Sequence, residues 1–307
     1  MTKPAEFNEP AAEPPLDPKT SVSFQGQPGA FSHLACREAL PDFSPLPCAT
    51  FEDAFAAVSE GQAARGMIAI ENSVAGRVAD VHHLMPQSDL HIVGEHFQRV
   101  SMTLMAPAGA TLKGLREVHS HVHALPQCRR LLREIGAKAI VHADTAGACQ
   151  MVAERGDPAI AALGSPLAAE IYDLEVLRRD AQDISFNFTR FVIMARERIS
   201  PHPKDGNCMT TLIFAVRSVP AALYKSLGGF ATCGVNITKL ESYIEPGSFE
   251  AAQFYADIEG HPEEDRVRWA LEELQFYCTR LQILGTYPRD PFRDQKPSEQ
   301  HAPHTDR

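Results

Sequence analysis

Short apolar runs alternate with amphipathic stretches along the first two thirds of the chain. The runs SVSF, GMIAI, KAIVHA and AIAAL have the length and apolar character of buried strands. Between them lie helical patterns such as ATFEDAFAAVSEG, which ends at Gly61, and residues 145–154, which follow the capping residue Asp144. Strands that alternate with helices predict an α/β fold with a mainly parallel sheet covered on both faces.

The pattern changes after residue 198. The segment ISPHPKDGNC, residues 199–208, is rich in Pro and Gly and is typical of a linker. Beyond it, TTLIFAV, NITKLESY, AAQFYADIE and LQILGTY have the character of strands, and helical patterns begin at Pro220 and Pro262. The order strand, helix, strand, strand, helix, strand predicts a ferredoxin-like βαββαβ domain over residues 209–288.

The two chain ends differ from the rest in composition. Residues 1–20 are rich in Pro and Glu, and residues 289–307 are similarly polar. Because neither stretch carries an apolar pattern that would bury it, both are predicted to be disordered tails. The N-terminal stretch also lacks the apolar core of a signal peptide, so we expect a cytoplasmic protein.

Composition narrows the classes of partner. The 307 residues are enough for two domains with cores of their own. A formal net charge of −10 argues against nucleic acid and anionic membrane surfaces as main partners. No apolar run in the sequence reaches the length of a membrane span. The seven cysteines are scattered without a CxxC pair, which is typical of reduced thiols.

Polar strings follow the predicted strands. Four of them are GQPGAFS, ENSVAG, SHVHALPQC and ADTAGA, and a fifth, FNFTRF, lies in a strand that we expect to return to the first half of the sheet. Because ligands gather at the carboxyl ends of parallel strands, we expect these strings to converge on one cleft. Their hydroxyls and amides, with helix N-terminal N–H groups, suit a ligand that carries carboxylates.

The sequence gives little support for a metal or a cofactor. His119, His121 and His123 form an HxHxH pattern, but alternate histidines at a strand edge are usually solvated, so no metal site is predicted. The glycine string GQPGAFS lacks the Lys-Ser/Thr ending of a P-loop and the third glycine of a dinucleotide fingerprint. We therefore predict no cofactor.

Five strings together resemble those of the prephenate dehydratases that carry a C-terminal ACT regulatory domain. They are FQGQPGAFS, IENSVAG, SHVHALPQC, DTAGA and FNFTRF, in the family order, and the resemblance covers about residues 22–288. It implies a catalytic part of two α/β subdomains, similar to type II periplasmic binding proteins. We place these subdomains at roughly residues 21–98 plus 180–200 and at residues 99–179. A linker at residues 201–208 precedes the ACT domain.

The resemblance also implies the reaction and its residues. Prephenate would lose CO2 and water to give phenylpyruvate, on the route to phenylalanine. Thr189 is expected to be an oriented donor or proton relay to the leaving oxygen. Glu71 is expected to supply a proton if burial raises its pKa, or to orient Thr189 or Asn72. The further residues implied are, near the chemistry, Ser120, Gln127 and Asn72, and around the substrate, Ser73, Thr145, Asn187, Phe191 and Ser32.

For Arg190 the sequence leaves two interpretations open. The guanidinium can pair with a carboxylate of the substrate, or it can form an ion pair beneath the cleft.

ACT domains pair between chains and bind amino acids near a helix start, so the resemblance implies a homo-oligomer formed through these domains. In this family the effector is L-Phe, and the positions that match its binding residues are Ala222, Leu223, Asn236, Glu241 and Ser242. Ala221, Tyr243 and Ile244 depart from the family pattern. Feedback inhibition by L-Phe is the expectation, and a purely structural role in dimerisation is the alternative.

Two other functions compete with this interpretation. Arogenate dehydratase, alone or as a dual-specificity enzyme, would use the same fold and chemistry on a substrate with an amino group in place of the keto group. A non-catalytic amino-acid sensor would combine a binding cleft with an ACT domain. A sensor has no need for both a carboxylate and a Thr hydroxyl facing its ligand, so the enzyme is favoured.

Overall fold

Three β-sheets organise the chain, which this computed structural model describes over residues 16–203, 206–217, 219–244 and 252–295. In chain order the elements are β1 (Ser21–Gln25), α1 (Phe31–Ala39), β2 (Ser44–Cys48), α2 (Phe51–Ser59), β3 (Arg65–Asn72), β4 (Gly76–Arg77), α3 (Ala79–Leu84), β5 (His91–Arg99), β6 (Thr103–Ala106), β7 (Glu117–His121), α4 (Arg129–Ile135), β8 (Lys138–His142), α5 (Thr145–Arg155), β9 (Ile160–Gly164), α6 (Pro166–Ile171), β10 (Glu175–Arg178), β11 (Phe188–Ala195), β12 (Cys208–Val216), α7 (Ala222–Thr232), β13 (Ile237–Ile244), β14 (Ala252–Glu259), α8 (Asp265–Tyr277) and β15 (Cys278–Pro288). Short 3₁₀ helices lie at Pro18–Thr20, Met85–Gln87, Leu125–Cys128 and Pro291–Asp294. Within the described residues, none of the helices has the length and apolar character that crossing a membrane requires.

The first sheet has the strand order β2-β1-β3-β11-β5, with β4 paired to the end of β3. Helix α1 covers one face, where Ala35 and Cys36 pack with Phe24 and Phe191. Helix α2 covers part of the other face, where Phe55 lies in a second cluster. Strand β11 is inserted between β3 and β5 although it follows the whole second sheet in the chain. The prediction that the FNFTRF strand returns to the first sheet is therefore confirmed.

The second sheet has the order β10-β6-β9-β7-β8. Strand β7 is parallel to β8 and β9, whereas β6 is antiparallel to β9 and β10. Helix α5 begins where predicted, because the Asp144 carboxylate accepts a hydrogen bond of 2.6 Å from the Gly147 N–H.

The expectation of mainly parallel sheets is wrong for both the first and the second sheet. Strand β11 is antiparallel to both β3 and β5, and the second sheet likewise mixes parallel and antiparallel pairs. The chain crosses between the subdomains twice, after β5 and before β11. The strand that follows each crossing, β6 or β11, runs antiparallel to the strands beside it. The boundaries of the sheets agree with the expected two-subdomain α/β architecture.

The third sheet has the antiparallel order β13-β14-β12-β15. Helices α7 and α8 cover one face and close a core that contains Phe214, Phe230, Phe254 and Leu271. The element order β12, α7, β13, β14, α8, β15 is the predicted ferredoxin-like βαββαβ arrangement.

The opposite face of the third sheet packs on the first sheet. Tyr255, Tyr287 and Leu284 belong to the same buried cluster as Ile92 and Met194 of the first sheet. A Cβ added at Gly285 would lie 1.9 Å from the Ile92 carbonyl oxygen, so only glycine fits at this contact. Because the two domains share an apolar core, their relative position is held by packing and does not depend on the linker alone.

The predicted tails are corrected at their inner ends. Residues 18–20 form a 3₁₀ turn whose first N–H groups include one bonded to the Asp17 carboxylate. Residues 289–295 pack on the first sheet through Phe292 and Arg293. At the C-terminal end the sequence missed this because the contacts of Phe292 and Arg293 reach β5, about 195 residues away in the chain. Residues 1–15 and 296–307 lie outside the described residues.

Candidate active site

The end of β3 and the start of β11 carry a network of neutral side chains. Thr189 lies opposite Asn72 on the neighbouring strand. The Asn72 Nδ2 atom donates to the Thr189 Oγ1 atom at 3.0 Å and to the Asn187 Oδ1 atom at 2.8 Å. The Asn72 Oδ1 atom accepts from the N–H groups of Val74 and Ala75 at 2.9 and 2.8 Å, which fixes the orientation of the amide. Asn72 therefore holds the Thr189 hydroxyl in one place.

This orientation decides the role of the Thr189 hydroxyl. Because the Asn72 amide nitrogen can only donate, the Thr189 oxygen must act as the acceptor of that bond. Among the described residues no hydrogen bond uses the Thr189 hydroxyl hydrogen, and the side chain is half-buried. Thr189 is thus an oriented O–H group that can donate to a ligand.

Side chains of the two subdomains meet at this network. The Asn187 Nδ2 atom donates to the Gln127 Oε1 atom at 2.6 Å, and the Gln127 Nε2 atom donates to the His123 carbonyl at 2.8 Å. Asn187 is buried, and Gln127 follows β7 of the second sheet. The structure therefore brings Thr189, Asn72, Asn187 and Gln127 together, as four of the predicted site residues.

Ser73 joins the same two strand ends through its backbone and its hydroxyl. The Ser73 N–H donates to the Phe188 carbonyl at 2.8 Å, and the Ser73 Oγ atom accepts from the Phe188 N–H at 3.0 Å. The side chain is exposed. Ser73 thus holds the backbone next to Thr189, and its own hydroxyl hydrogen remains available for a ligand.

Two other predicted residues lie in cores. The Ser120 side chain is fully buried, and its hydroxyl donates to the Leu163 carbonyl at 2.6 Å within the second sheet. Phe191 is 1% exposed and packs against α1. The expectation that Phe191 contacts the substrate is therefore wrong, because this ring fills the core of the first sheet. The hydroxyl hydrogen of Ser120 is already bonded to the Leu163 carbonyl and cannot be donated to a ligand.

Ser32 and Thr145 lie in the first turns of α1 and α5, and both are half-buried. No hydrogen bond among the described residues joins either side chain to the Asn72 network. Thr145 starts an eleven-residue helix whose first turn is already capped, because the Asp144 carboxylate accepts from the Gly147 N–H. The N–H groups of this turn are therefore not a free donor set for an anion.

The residues next to Thr189 and Asn72 point to the opposite face of the sheet. Arg190 is 2% exposed and donates to the carboxylates of Glu95 at 2.9 Å, Glu71 at 3.0 Å and Asp257 at 2.5 Å. It also donates to the Tyr287 hydroxyl at 3.0 Å. Of the two interpretations left open for Arg190, the structure therefore has the ion pair beneath the cleft.

Glu71 is held by two cations, Arg190 of the same sheet and Lys239 of the third sheet. Burial alone would raise the pKa of Glu71, but the charges of Arg190 and Lys239 outweigh burial and lower the pKa of this carboxyl group. Glu71 stays ionised near neutral pH, so the expectation that it supplies a proton is wrong. It orients Asn72 only indirectly, as its neighbour in β3.

The predicted effector residues separate into two groups. Ala222 and Leu223 line an open cavity of about 470 Å³ at the start of α7, where the preceding residue Ala221 has a left-handed φ of 61°. The Glu241 carboxylate instead lies 2.7 Å from Lys239 Nζ and 3.4 Å from His82 Nε2, on the face that meets the first sheet. Because the resemblance places the effector site where a helix start meets the neighbouring chain, the separation of Glu241 and Ala222 within one chain leaves that site a prediction.

Asn236 and Ser242, the other two predicted effector residues, are exposed on and just before β13. The Ser242 carbonyl accepts a hydrogen bond of 3.2 Å from Arg77 of the first sheet. Both side chains therefore lie at the surface of the third sheet, away from the cavity-lining residues of α7.

The three histidines of the HxHxH pattern serve local roles. His119 is 4% exposed and lies 3.3 Å from a carboxylate oxygen of Glu117, while the rings of His121 and His123 are 5.2 Å apart. Burial lowers the pKa of both His119 and His121. In the part of the chain that the structure describes, no three His, Cys, Asp or Glu side chains are grouped to hold a metal ion.

Comparison of the sequence with known proteins identifies the family of this chain. The model of the prephenate dehydratase family matches residues 22–199. The chain belongs to the prephenate dehydratase family. A relative from Komagataeibacter europaeus, named a bifunctional N-acyl-homoserine lactone acylase/prephenate dehydratase, is 50% identical over 272 residues, which are 89% of this chain and 97% of the relative. Arogenate dehydratase/prephenate dehydratase 1 of Arabidopsis thaliana is 34% identical over 307 residues, covering 95% of this chain and 78% of that protein.

Solved structures of the family share the fold. The structure of GqqA, described as a novel type of quorum quenching acylase, is 50% identical with a TM-score of 0.84, covering 89% of this chain and 99% of that one. The prephenate dehydratase of Arthrobacter aurescens, solved in complex with L-Phe, is 30% identical with a TM-score of 0.79 and covers 88% of this chain and 90% of that one. The expected resemblance to the family is therefore confirmed.

Sequence reasoning missed the charged residues that surround Arg190. The side chains of Glu95 in β5 and Asp257 in β14 are both fully buried. The available signal was a carboxylate flanked by apolar residues inside a strand, as at Asp257 in AAQFYADIE. Such a charge is almost never buried without a partner, so it predicts a buried cation nearby.

Proposed function

We propose that the protein catalyses the decarboxylating dehydration of prephenate to phenylpyruvate and is therefore a carbon–oxygen lyase. The observation that carries this proposal is the Thr189 hydroxyl, which Asn72 orients and whose hydrogen no described residue accepts. The membership of the family supports the same reaction.

The reaction needs a donor more than it needs a base. In prephenate, the bond from the ring carbon to its carboxylate breaks, and that electron pair enters the ring as CO2 leaves. The ring C–O bond breaks in the same process, and the departing oxygen takes up a proton, which is supplied by solvent, to become water. Aromatisation supplies the driving force, and a donor at the leaving oxygen lowers the barrier. We assign that donor role to Thr189.

Neutral donors are suited to the rest of this substrate. Prephenate carries two carboxylates, and Asn187, Gln127 and Ser73 surround the Thr189 network with amide and hydroxyl groups. Arg190 is excluded from this role because its guanidinium is used beneath the cleft.

Arogenate is the alternative substrate. Several relatives from Arabidopsis thaliana, at 34–35% identity, are named arogenate dehydratases or arogenate dehydratase/prephenate dehydratases. Arogenate differs from prephenate in the side chain, so the role of Thr189 at the ring hydroxyl is the same for both.

A second candidate activity comes from the relative of 50% identity. Its name includes N-acyl-homoserine lactone acylase, and this chain covers 97% of that protein. Hydrolysis of an amide by the same cleft would need an activated water or nucleophile, and the Thr189–Asn72 pair contains no general base. We therefore place the acylase activity second.

We also propose feedback inhibition by L-Phe at the cavity that Ala222 and Leu223 line. A family member at 30% identity was solved with L-Phe bound, which supports this choice of effector. The third sheet is the part of the chain through which we expect copies to associate. Loss of turnover as L-Phe is added, measured together with the oligomeric state, would support the proposal. Turnover that is unchanged at millimolar L-Phe would leave the domain a structural role.

The test is a comparison of three substrates with one enzyme preparation. Purified protein is given prephenate, arogenate or an N-acyl-homoserine lactone, and phenylpyruvate, phenylalanine or free fatty acid is measured. Phenylpyruvate formation with the highest kcat/KM is the expected result. Faster turnover of arogenate would keep the chemistry and change the substrate. Fatty acid release without turnover of either cyclohexadiene would reject the proposed function.

A further inference from the structure

The segment after β15, residues 289–295, lies against the start of β11, the strand that carries Thr189. Its 3₁₀ turn places the ring of Phe292 at 4.6 Å from the ring of Phe188 and 4.6 Å from the ring of Phe97. Phe97 lies opposite Arg190 in the pairing of β5 with β11. The Phe292 ring therefore contacts both β11, which carries Thr189, and its neighbour β5.

A charged contact continues from the same turn into the sheet. Arg293 donates to both oxygens of Glu95, with Nε at 2.7 Å and Nη2 at 2.9 Å. The Glu95 side chain is fully buried, and its Oε2 atom also accepts from Arg190 Nε at 2.9 Å. A continuous path of bidentate and single charge-assisted hydrogen bonds thus runs from the C-terminal segment to β11.

These contacts reach both neighbours of Thr189. Phe188 precedes it and packs against Phe292 with tilted rings, and Arg190 follows it and shares Glu95 with Arg293. The carbonyl of Phe188 accepts from the Ser73 N–H and from Asn72 Nδ2, the same amide that orients the Thr189 hydroxyl. A shift of this backbone would therefore move the donor and its orienting amide together.

We propose that residues 289–295 are a positioning element of the catalytic site, in which Phe292 and Arg293 fix the backbone on both sides of Thr189. This inference rests on the proposed function, since it gives the segment a role in the same reaction. Phe292 and Arg293 are positioning residues, because they act through Phe188, Glu95 and Arg190.

Removal of the Phe292 ring should lower turnover without a matching change in substrate binding. Misplacement of a reacting group by about 1 Å costs on the order of 100-fold in rate, so we expect kcat of Phe292→Ala to fall about 10- to 100-fold. We expect KM to change less than kcat, because the Phe292 ring packs on Phe97 and Phe188 and acts on the groups proposed to bind the carboxylates only through the backbone. Phe292→Tyr keeps the stacked ring and should retain most of the turnover. Phe276→Ala makes the same change at an exposed ring on α8, and its turnover should match that of wild type.

A double-mutant cycle separates positioning from general structure. If Phe292 acts through Thr189, its removal should have little further effect once the Thr189 hydroxyl is absent. We expect Phe292→Ala to change kcat less than about twofold in a Thr189→Ala background. A loss of the same size in both backgrounds would overturn the inference. Phe292→Leu serves in the same cycle if the alanine variant folds poorly, because it keeps apolar volume without the ring.

Amide hydrogen exchange gives a readout that needs no substrate. We expect the amides of Phe188 and Ser73 to exchange at least about tenfold faster in Phe292→Ala than in wild type, because their mutual hydrogen bonds open locally. The amide of Ile213, in the interior of β12, should not change. Wild type that converts none of the substrates would reject the proposed function, and the exchange rates would still decide the inference. Unchanged exchange at Phe188 and Ser73 would overturn it.

Discussion

The two faces of the paired strands β3 and β11 have opposite chemistry. On the cleft face, Thr189 and Asn72 form a neutral network with one hydroxyl hydrogen left over. On the other face, the adjacent residues Arg190 and Glu71 form a charged network whose members bind one another. Consecutive residues in a strand point to opposite sides of the sheet. Thr189 and Asn72 therefore face the cleft, whereas Arg190 and Glu71, each one position away, face the buried ion-pair network.

The difference teaches how to interpret the most conspicuous charges in a site. Arg190 and Glu71 look like groups for a dianionic substrate, but each is saturated by its neighbours. The hydroxyl of Thr189, like that of Ser73, is uncharged and retains an unused donor. Availability of a hydrogen-bonding group, more than its charge, therefore identifies what can act on a ligand.

The largest expected effect on stability lies on the charged face. Arg190→Met would leave Asp257 buried without the cation that binds it and would remove one of the two cations that bind Glu95. Breaking a buried ion pair in this way costs about 3–5 kcal/mol. We expect the free energy of unfolding, measured by urea denaturation, to fall by that amount.

A matched control for this prediction is Arg268→Met. Arg268 forms an exposed ion pair with Asp265, with half of the Arg268 side chain accessible, so screening by solvent limits its value to below about 1 kcal/mol. Equal losses of stability in the two variants would contradict the assignment of Arg190 to a buried structural network.

A smaller effect, on turnover, is expected on the neutral face. Asn72→Ala leaves the Thr189 hydroxyl present but free to rotate, and a misoriented catalytic group costs on the order of 10- to 100-fold in kcat. The rate of phenylpyruvate formation measures the loss. Asn207→Ala, at an exposed asparagine beside β12, is the control and should keep full turnover. Wild-type kcat in Asn72→Ala would show that the hydroxyl needs no orientation.

The smallest effect is the response of stability to acid. Burial alone would raise the pKa of Asp257, but the charge of Arg190 and the hydrogen bonds from Arg190 and Thr211 outweigh burial and lower it. The folded protein thus binds fewer protons than the unfolded chain at low pH. This contribution to stability is fully present above the unfolded pKa, near 4, and is lost as the pH falls through the folded pKa.

Urea denaturation at several pH values checks this expectation. The free energy of unfolding of wild type should decrease below about pH 4, and Asp257→Asn should be less stable at neutral pH and show a flatter decrease. An equal slope in the two proteins would show that Asp257 does not contribute to the acid response.

The sequence was a good guide wherever a local pattern determines the structure. Asp144 caps α5 as its position predicted, and the order of elements in the third sheet follows from the hydrophobic periods alone. The convergence of Thr189, Asn72 and Gln127 followed from polar strings at strand ends.

The sequence could not predict which side chains of β3 and β11 face the cleft. The pairing of these strands shifts register between Arg190 and Phe191, so alternation along FNFTRF does not by itself assign each side chain to a face. Whether Glu71 is protonated depends on Lys239, which is 168 residues away in the chain. The role proposed for Phe292 likewise depends on long-range contacts, because its ring packs on Phe188, about 100 residues earlier in the chain.

The most direct test of the central claim is the prephenate turnover of Thr189→Ala and Thr189→Ser, each normalised to its folded fraction. Loss of a positioned donor predicts a decrease in kcat on the order of 10² to 10⁴-fold for Thr189→Ala, with a smaller loss for Thr189→Ser. Thr279→Ala, which removes an exposed threonine hydroxyl from β15, should have wild-type turnover. Turnover of Thr189→Ala within a few fold of wild type, or equal losses in the alanine and serine variants, would contradict the role of the Thr189 hydroxyl.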